Sequence, residues 1–169
     1  MDSETKLRPA REEDLPQIVR LFSGAVERMR ENGIDQWDER YPDADLLSSD
    51  VRKREMYLLE SEGAVAAAVV LNEDQPPEYA AVPWACGEGP VAVVHRLCVA
   101  AERQGKRLGA RTLLLSEKLL KTRGFRCVRL EAFIGNPAAM RLYPSCGYRF
   151  TGRVTFAREM IFNCYEKIL

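Results

Sequence analysis

The sequence predicts one mixed α+β domain over residues 1–169, and three observations carry that prediction. Strand-like runs come first, as a meander. In the second half, strand-like and helix-like segments alternate. Between them, a short glycine-containing loop joins a β-branched run to a long amphipathic helix. At 169 residues the chain fits a single domain, and 46% hydrophobic residues supply a core.

The elements follow in order. Residues 5–9 read as a short strand. Residues 12–30 read as a helix, because Leu15, Ile18, Val19, Phe22, Ala25 and Val26 share one face. Pro16 falls near its start, where a missing N–H matters least, and Gly33 stops it. Residues 34–45 are irregular and carry Trp37 and Tyr41; Asp43 or Asp45 then caps a short helix to about residue 54. Residues 56–59 and 64–71 read as strands joined by a turn at Glu62-Gly63. Residues 72–90 form a loop rich in Pro, Glu and Gly, the place where an insertion is expected. Residues 91–99 read as a buried strand interrupted by His95-Arg96. A helix over 107–123, with Leu108, Leu115 and Leu119 on one face, ends at Gly124. A strand over 126–133 follows. Asn136-Pro137 opens the next helix as cap and first helical residue. Strands over 149–154 and 156–168 complete the chain.

Composition excludes several classes of function. Twenty-five basic and 25 acidic residues leave a formal charge of zero, so neither nucleic acid nor an anionic membrane is an expected partner. The polar first residues lack a secretory apolar segment, and no apolar run approaches the roughly 20 residues that span a bilayer. Cys86, Cys98, Cys127, Cys146 and Cys164 are an odd, scattered set. That distribution suits a reducing cytoplasm rather than a disulfide framework. One histidine and no zinc-like spacing predict no metal.

The sharpest feature is the loop Gln104, Gly105, Lys106, Arg107, Leu108, Gly109 and Ala110. The first turn of a helix leaves backbone N–H groups without intrahelical partners and carries a partial positive charge, which suits a phosphate. Glycine permits a tight turn and close approach, and Lys106 and Arg107 add local charge. Neither a Walker loop nor a dinucleotide fingerprint is present. The plain alternative is a turn with solvated basic residues.

This segment resembles the GNAT superfamily of N-acetyltransferases, whose motif is Gln/Arg-x-x-Gly-x-Gly/Ala between a strand and a helix. Gln104 and Gly109 match; Arg107 stands where the first motif glycine usually lies. A second family segment, Asn-x-x-Ala-x-x-Leu-Tyr followed by Gly-aromatic, is matched by Asn136, Ala139, Leu142, Tyr143, Gly147 and Tyr148. The resemblance implies a mostly antiparallel mixed sheet with two splayed parallel strands and helices on both faces. It implies acetyl-CoA held by the 104–110 loop, by Leu97, Cys98 and Val99, and by Asn136, Ala139 and Tyr143. Residues 33–37 with Tyr41-Pro42 resemble a group of small bacterial GNAT proteins whose acceptors are poorly defined.

By the same resemblance, Tyr143 is the acid that protonates the CoA sulfur. A phenol with an ordinary pKa near 10 stays protonated at neutral pH. Pro144 argues for a frayed helix end there, and a packing tyrosine is the alternative. Asn136 either contacts cofactor or caps its helix. His95 and Glu131 are the candidate bases. Their alternatives are a packed histidine and a glutamate salt-bridged to Arg129 or Arg96, and a water chain is a third route. Trp37, Tyr41, Tyr79 and Trp84 either line the acceptor cleft or anchor loops. Cys98, beside the expected thioester, is the cysteine to watch, although direct attack in a ternary complex needs no nucleophilic thiol. The expected reaction is acetyl transfer from acetyl-CoA to a small-molecule primary amine, in a homodimer by family analogy. A non-catalytic CoA-binding module and a protein acetyltransferase are the competing readings.

Overall fold

The computed structural model describes residues 5–169. In chain order these residues form β1 (Thr5–Pro9), α1 (Leu15–Glu31), α2 (Ala44–Arg52), β2 (Met56–Ser61), β3 (Ala64–Asn72) and β4 (Val91–Val99). Then come α3 (Leu108–Thr122), β5 (Cys127–Phe133), α4 (Pro137–Ser145), β6 (Arg149–Thr155) and β7 (Ile161–Ile168). The strand order is β1-β2-β3-β4-β5-β7-β6. β4 and β5 pair in parallel, with Val91, Ala92 and Val93 opposite Cys127, Val128 and Arg129. The pairs β1–β2, β2–β3, β5–β7 and β6–β7 are antiparallel. This is the mixed, mostly antiparallel sheet that the sequence predicts.

Two compact units interleave along the described residues: 5–71 with His95–Leu115, and Asn72–Val94 with Ser116–Leu169. In the first, α1 buries Ile18, Leu21, Phe22, Ala25 and Val26, the face set by its apolar period. They pack with Leu47 and Val51 of α2, Met56 and Leu58 of β2, and Val70 of β3. A single 3₁₀ turn, Glu12–Asp14, precedes α1, so the α-helix proper starts later than residue 12. Gly33 then adopts φ 69°, the left-handed step that ends a helix. Asp43, not Asp45, caps α2: its carboxylate accepts from the Leu46 amide at 2.8 Å. Glu62 and Gly63 both have positive φ, as a tight hairpin between β2 and β3 requires.

In the second unit, β7 lies between β5 and β6. It starts at Ile161 rather than at residue 156, because Arg158 and Glu159 turn through left-handed conformations in the Ala157–Glu159 turn. The insertion expected over residues 72–90 begins one residue later, since Asn72 ends β3, and residues 73–90 are stitched to β5. Strand alternation places Cys127, Arg129 and Glu131 on one face of β5, and each grips the loop. Cys127 is bonded to Cys86 in a disulfide. Arg129 donates to the Cys86 carbonyl and to Gln75, both at 2.7 Å, and lies over the Trp84 ring, 4.5 Å from its centroid. Glu131 accepts from the Tyr79 hydroxyl.

The disulfide corrects the expectation of five unpaired thiols. Its cysteines lie 41 residues apart, a separation over which sequence spacing gives no signal, and the folded-back loop brings them together. Cys98, Cys146 and Cys164 remain thiols. Thiol titration of denatured protein should therefore find three groups per chain, rising to five after reduction. Closing a loop of that length restricts the unfolded chain, so Cys86→Ser should lower the unfolding free energy by about 2–4 kcal/mol in a denaturant titration.

Candidate active site

The phosphate loop belongs to the first unit. After β4, the turn Ala101–Arg103 is tied to the β2–β3 hairpin by Arg103, which donates to the Ser61 carbonyl at 3.2 Å. The side-chain amide of Gln104 reaches back to the Val99 carbonyl at 3.4 Å, bracing the strand-to-loop corner. Gly105 has φ 80° and Arg107 φ 59°. Arg107 thus adopts a left-handed conformation that favours glycine, at the position where the motif usually has one. An L-residue held there costs about 1–2 kcal/mol, and strain of this kind is characteristic of functional loops.

The Arg111 amide bonds the Arg107 carbonyl at 3.0 Å, the first closure of α3. The amides of Leu108, Gly109 and Ala110 precede it and have no intrahelical acceptor. Lys106 and Arg107 are exposed beside them. Leu108 points the other way and is buried with Leu59, Ala66 and Ala67. One buried leucine thus anchors the helix start beside two exposed cations. A Cβ placed on Gly105 would meet nothing within 4 Å, so this glycine serves the backbone turn in an open place. Open amides at a helix N-terminus with adjoining cations fit the diphosphate of CoA.

Further back in β4, the predicted interruption is physical. Arg96 has φ 49° in mid-strand, where the sheet otherwise requires extended backbone. Its guanidinium forks onto the buried Asp50 of α2 at 2.8 and 2.9 Å and donates to the Tyr41 hydroxyl at 3.2 Å. Burial pushes the Asp50 carboxyl upward, against the opposing pull of Arg96. His95 and Leu97 are half-buried, as is Val99. Cys98 is buried in the α1–α2 core, and burial raises its thiol well above the ordinary range. A thiol kept neutral among apolar side chains is a poor nucleophile. Trp37 packs on Phe22, with ring centroids 5.6 Å apart, and so anchors its segment to the core. Tyr41 is exposed apart from its hydroxyl contact.

The second unit carries the other candidates. Tyr143 is buried in α4, tilted against Tyr165 and edge-on to Tyr148, with centroids 5.9 Å away in both cases. The frayed end expected from Pro144 is absent. The helix runs on to Ser145, and the amides of Cys146, Gly147 and Tyr148 close it onto Leu142, Pro144 and Tyr143. Burial first, and then the Glu131 charge, lift the Tyr143 phenol well above its ordinary pKa. Asn136 caps α4 by accepting from the Ala139 amide at 3.3 Å, the capping alternative; Ala139 is half-buried in the first turn.

The two arginines weighed as partners of Glu131 make their bonds to other carboxylates. Arg129 bonds Glu166 at 3.2 Å, its register partner on β7, while Arg96 is committed to Asp50. Glu131 accepts from buried Tyr79. Trp84 donates its ring N–H to the Tyr79 carbonyl at 2.9 Å and packs 4.8 Å from the Tyr79 ring. It therefore locks the loop.

Sequence reasoning missed Tyr79 as a partner of Glu131, because a tyrosine in a Pro-Glu-rich loop carries no periodic signal. It also missed Glu166, although a carboxylate inside an apolar final strand was a usable sign of a buried pair. The Glu166 carboxylate accepts from the Ala85 and Cys86 amides at 2.8 and 3.1 Å. Cys86, Cys127 and Glu166 bring potential metal-ligating atoms within 4.8 Å of one another. The disulfide occupies both sulfurs, and Arg129 and the loop amides occupy the carboxylate.

Comparison with known proteins agrees with this geometry. The acetyltransferase (GNAT) family matches residues 19–148. YesJ of Bacillus subtilis, described as an uncharacterised N-acetyltransferase, is 27% identical over 147 residues, covering 85% of this chain and 81% of YesJ. The S-(2-succino)cysteine N-acetyltransferase of the same organism is also 27% identical, over 151 residues, covering 87% and 86%. A GNAT-family acetyltransferase from Streptococcus agalactiae superposes with a TM-score of 0.86 at 19% identity, covering 98% of this chain and 95% of that one. The Salmonella typhimurium protein yncA, solved with its cofactor acetyl-CoA, superposes at 0.71 with 19% identity, covering 99% and 95%. With its motif loop, sheet order and matched span in agreement, this chain belongs to the acetyltransferase (GNAT) family.

Proposed function

We propose that this chain transfers an acetyl group from acetyl-CoA to a primary amine of a small molecule, by direct attack in a ternary complex. The observation that carries the reading is the turn through Gly105 and Arg107 into α3, with open amides and two exposed cations. The loop holds the CoA diphosphate, and the β4 backbone at Leu97 and Val99 pairs with the pantetheine arm. The co-substrate supplies the activated acetyl group, and the residues of this chain manage protons.

Acyl transfer to an amine needs a base for the attacking nitrogen and an acid for the departing thiolate. Tyr143 suits the second role, since its raised pKa keeps the phenol protonated throughout the working range. Glu131 is the base we favour, because Tyr79 holds its carboxylate; His95 is the other candidate. Direct attack is favoured because Cys98 is buried and neutral. The relative that acts on S-(2-succino)cysteine supports an amino-acid-like amine as the first acceptor to try.

The test is twofold. Calorimetry should show acetyl-CoA binding, and a free-thiol assay over a panel of amines, S-(2-succino)cysteine included, should show CoA release with at least one. Binding without any release would reduce the protein to a CoA-binding module, and absence of binding would remove the proposal altogether.

A further inference from the structure

We infer that Tyr79 is a positioning residue that holds Glu131 in its ionised, proton-accepting form, and that the loop 73–90 exists in part to deliver it. The inference rests on the reading of Glu131 as the base.

Four observations carry it. Tyr79 is 3% exposed, yet its hydroxyl donates to a carboxylate of β5 lying 52 residues further along the chain. A buried phenol is placed this way only when its loop is fixed, and this loop is fixed repeatedly. The Tyr79 amide and carbonyl close the Pro77–Ala81 turn through Pro76 and Val82. Trp84 clamps the Tyr79 carbonyl and ring, and Arg129 covers Trp84 in turn. Cys86–Cys127 and Arg129 then hold the loop against the same face of β5 that presents Glu131.

The charge logic favours a carboxylate. Tyr79 from the loop, Tyr143 from α4 and Cys164 from β7 each feel the Glu131 charge. Burial raises both phenols well above the ordinary range and the Cys164 thiol to about 12, so all three are neutral at working pH. Arg129, two residues along β5, acts on Tyr79 and is already paired with Glu166. A neutral hydroxyl donating to a carboxylate favours its ionised form without neutralising it.

The experiment compares wild type, Tyr79→Phe and Glu131→Gln. Phenylalanine keeps the ring that packs on Trp84, so matching melting temperatures should confirm the fold. The Glu131 carboxyl is followed by 13C NMR of glutamate-labelled protein and assigned by its loss in Glu131→Gln. In Tyr79→Phe, its titration midpoint should rise by about one pH unit, the effect of losing one donor to the charged form. The acid limb of kcat/KM for acetyl transfer to the best amine of the panel, S-(2-succino)cysteine being tried first, should move upward by the same amount. At a fixed pH on that acid limb, kcat/KM should fall about tenfold, with the KM for acetyl-CoA unchanged. An unmoved carboxyl titration overturns the role of Tyr79 even if Glu131→Gln is inactive. Full activity in Glu131→Gln overturns the base assignment itself, whatever Tyr79 does to the carboxyl.

Discussion

Arg107→Glu should weaken acetyl-CoA binding by about ten- to a hundredfold at low salt, with the difference shrinking as ionic strength rises. The mutation places negative charge beside the open amides of α3, where the diphosphate is proposed to sit. It changes nothing that the fold requires, since Arg107 is exposed. Two controls isolate the charge. Arg107→Gly removes the cation but fits the φ of 59° better than any L-residue. It should raise stability by about 1 kcal/mol, with a smaller loss of affinity than the charge reversal. A thioester lacking the nucleotide, S-acetyl-N-acetylcysteamine, should bind both variants as it binds wild type. Equal weakening of both thioesters would mean that the loop shapes the acyl site rather than the phosphate site.

Tyr143→Phe should lower kcat by about a hundredfold or more and leave acetyl-CoA affinity nearly unchanged. Donating a proton to the departing thiolate is an interaction made only as the bond breaks. The pH dependence carries a sign that can be checked. Tyr143 acts in its protonated form, and burial together with the Glu131 charge raises its pKa. Activity should therefore not decline through the range near pH 10, where an ordinary phenol ionises. A basic limb that disappears in Tyr143→Phe would show that the phenol titrates lower than its surroundings dictate. Unchanged turnover would make Tyr143 a packing residue against Tyr148 and Tyr165.

The parts of the fold legible in the sequence were those governed by local rules. The apolar period of α1, the caps at Asp43 and Asn136, the Glu62-Gly63 turn and the strand–loop–helix junction each follow from short-range chemistry, and the structure contains them. What was not legible depends on residues distant in sequence. Cys86 finds Cys127, Tyr79 finds Glu131 and Arg96 finds Asp50 only after the sheet is assembled. The backbone at Arg107 shows a different limit. Sequence pattern flagged a missing glycine, and only the structure shows that the arginine there is left-handed. In the candidate site, the motif pointed to a loop with the predicted turn and to Tyr143, which the structure buries in α4. Sequence left Trp84 open between cleft wall and loop anchor, and its anchoring contacts form only when the loop folds back on β5.

A diffraction structure of the complex with acetyl-CoA tests the central claim most directly. The diphosphate should lie within hydrogen-bonding distance of the amides that open α3, Leu108 through Ala110, with the Arg107 side chain turned toward it. A nucleotide bound away from that turn, with those amides facing solvent or side chains, would contradict it.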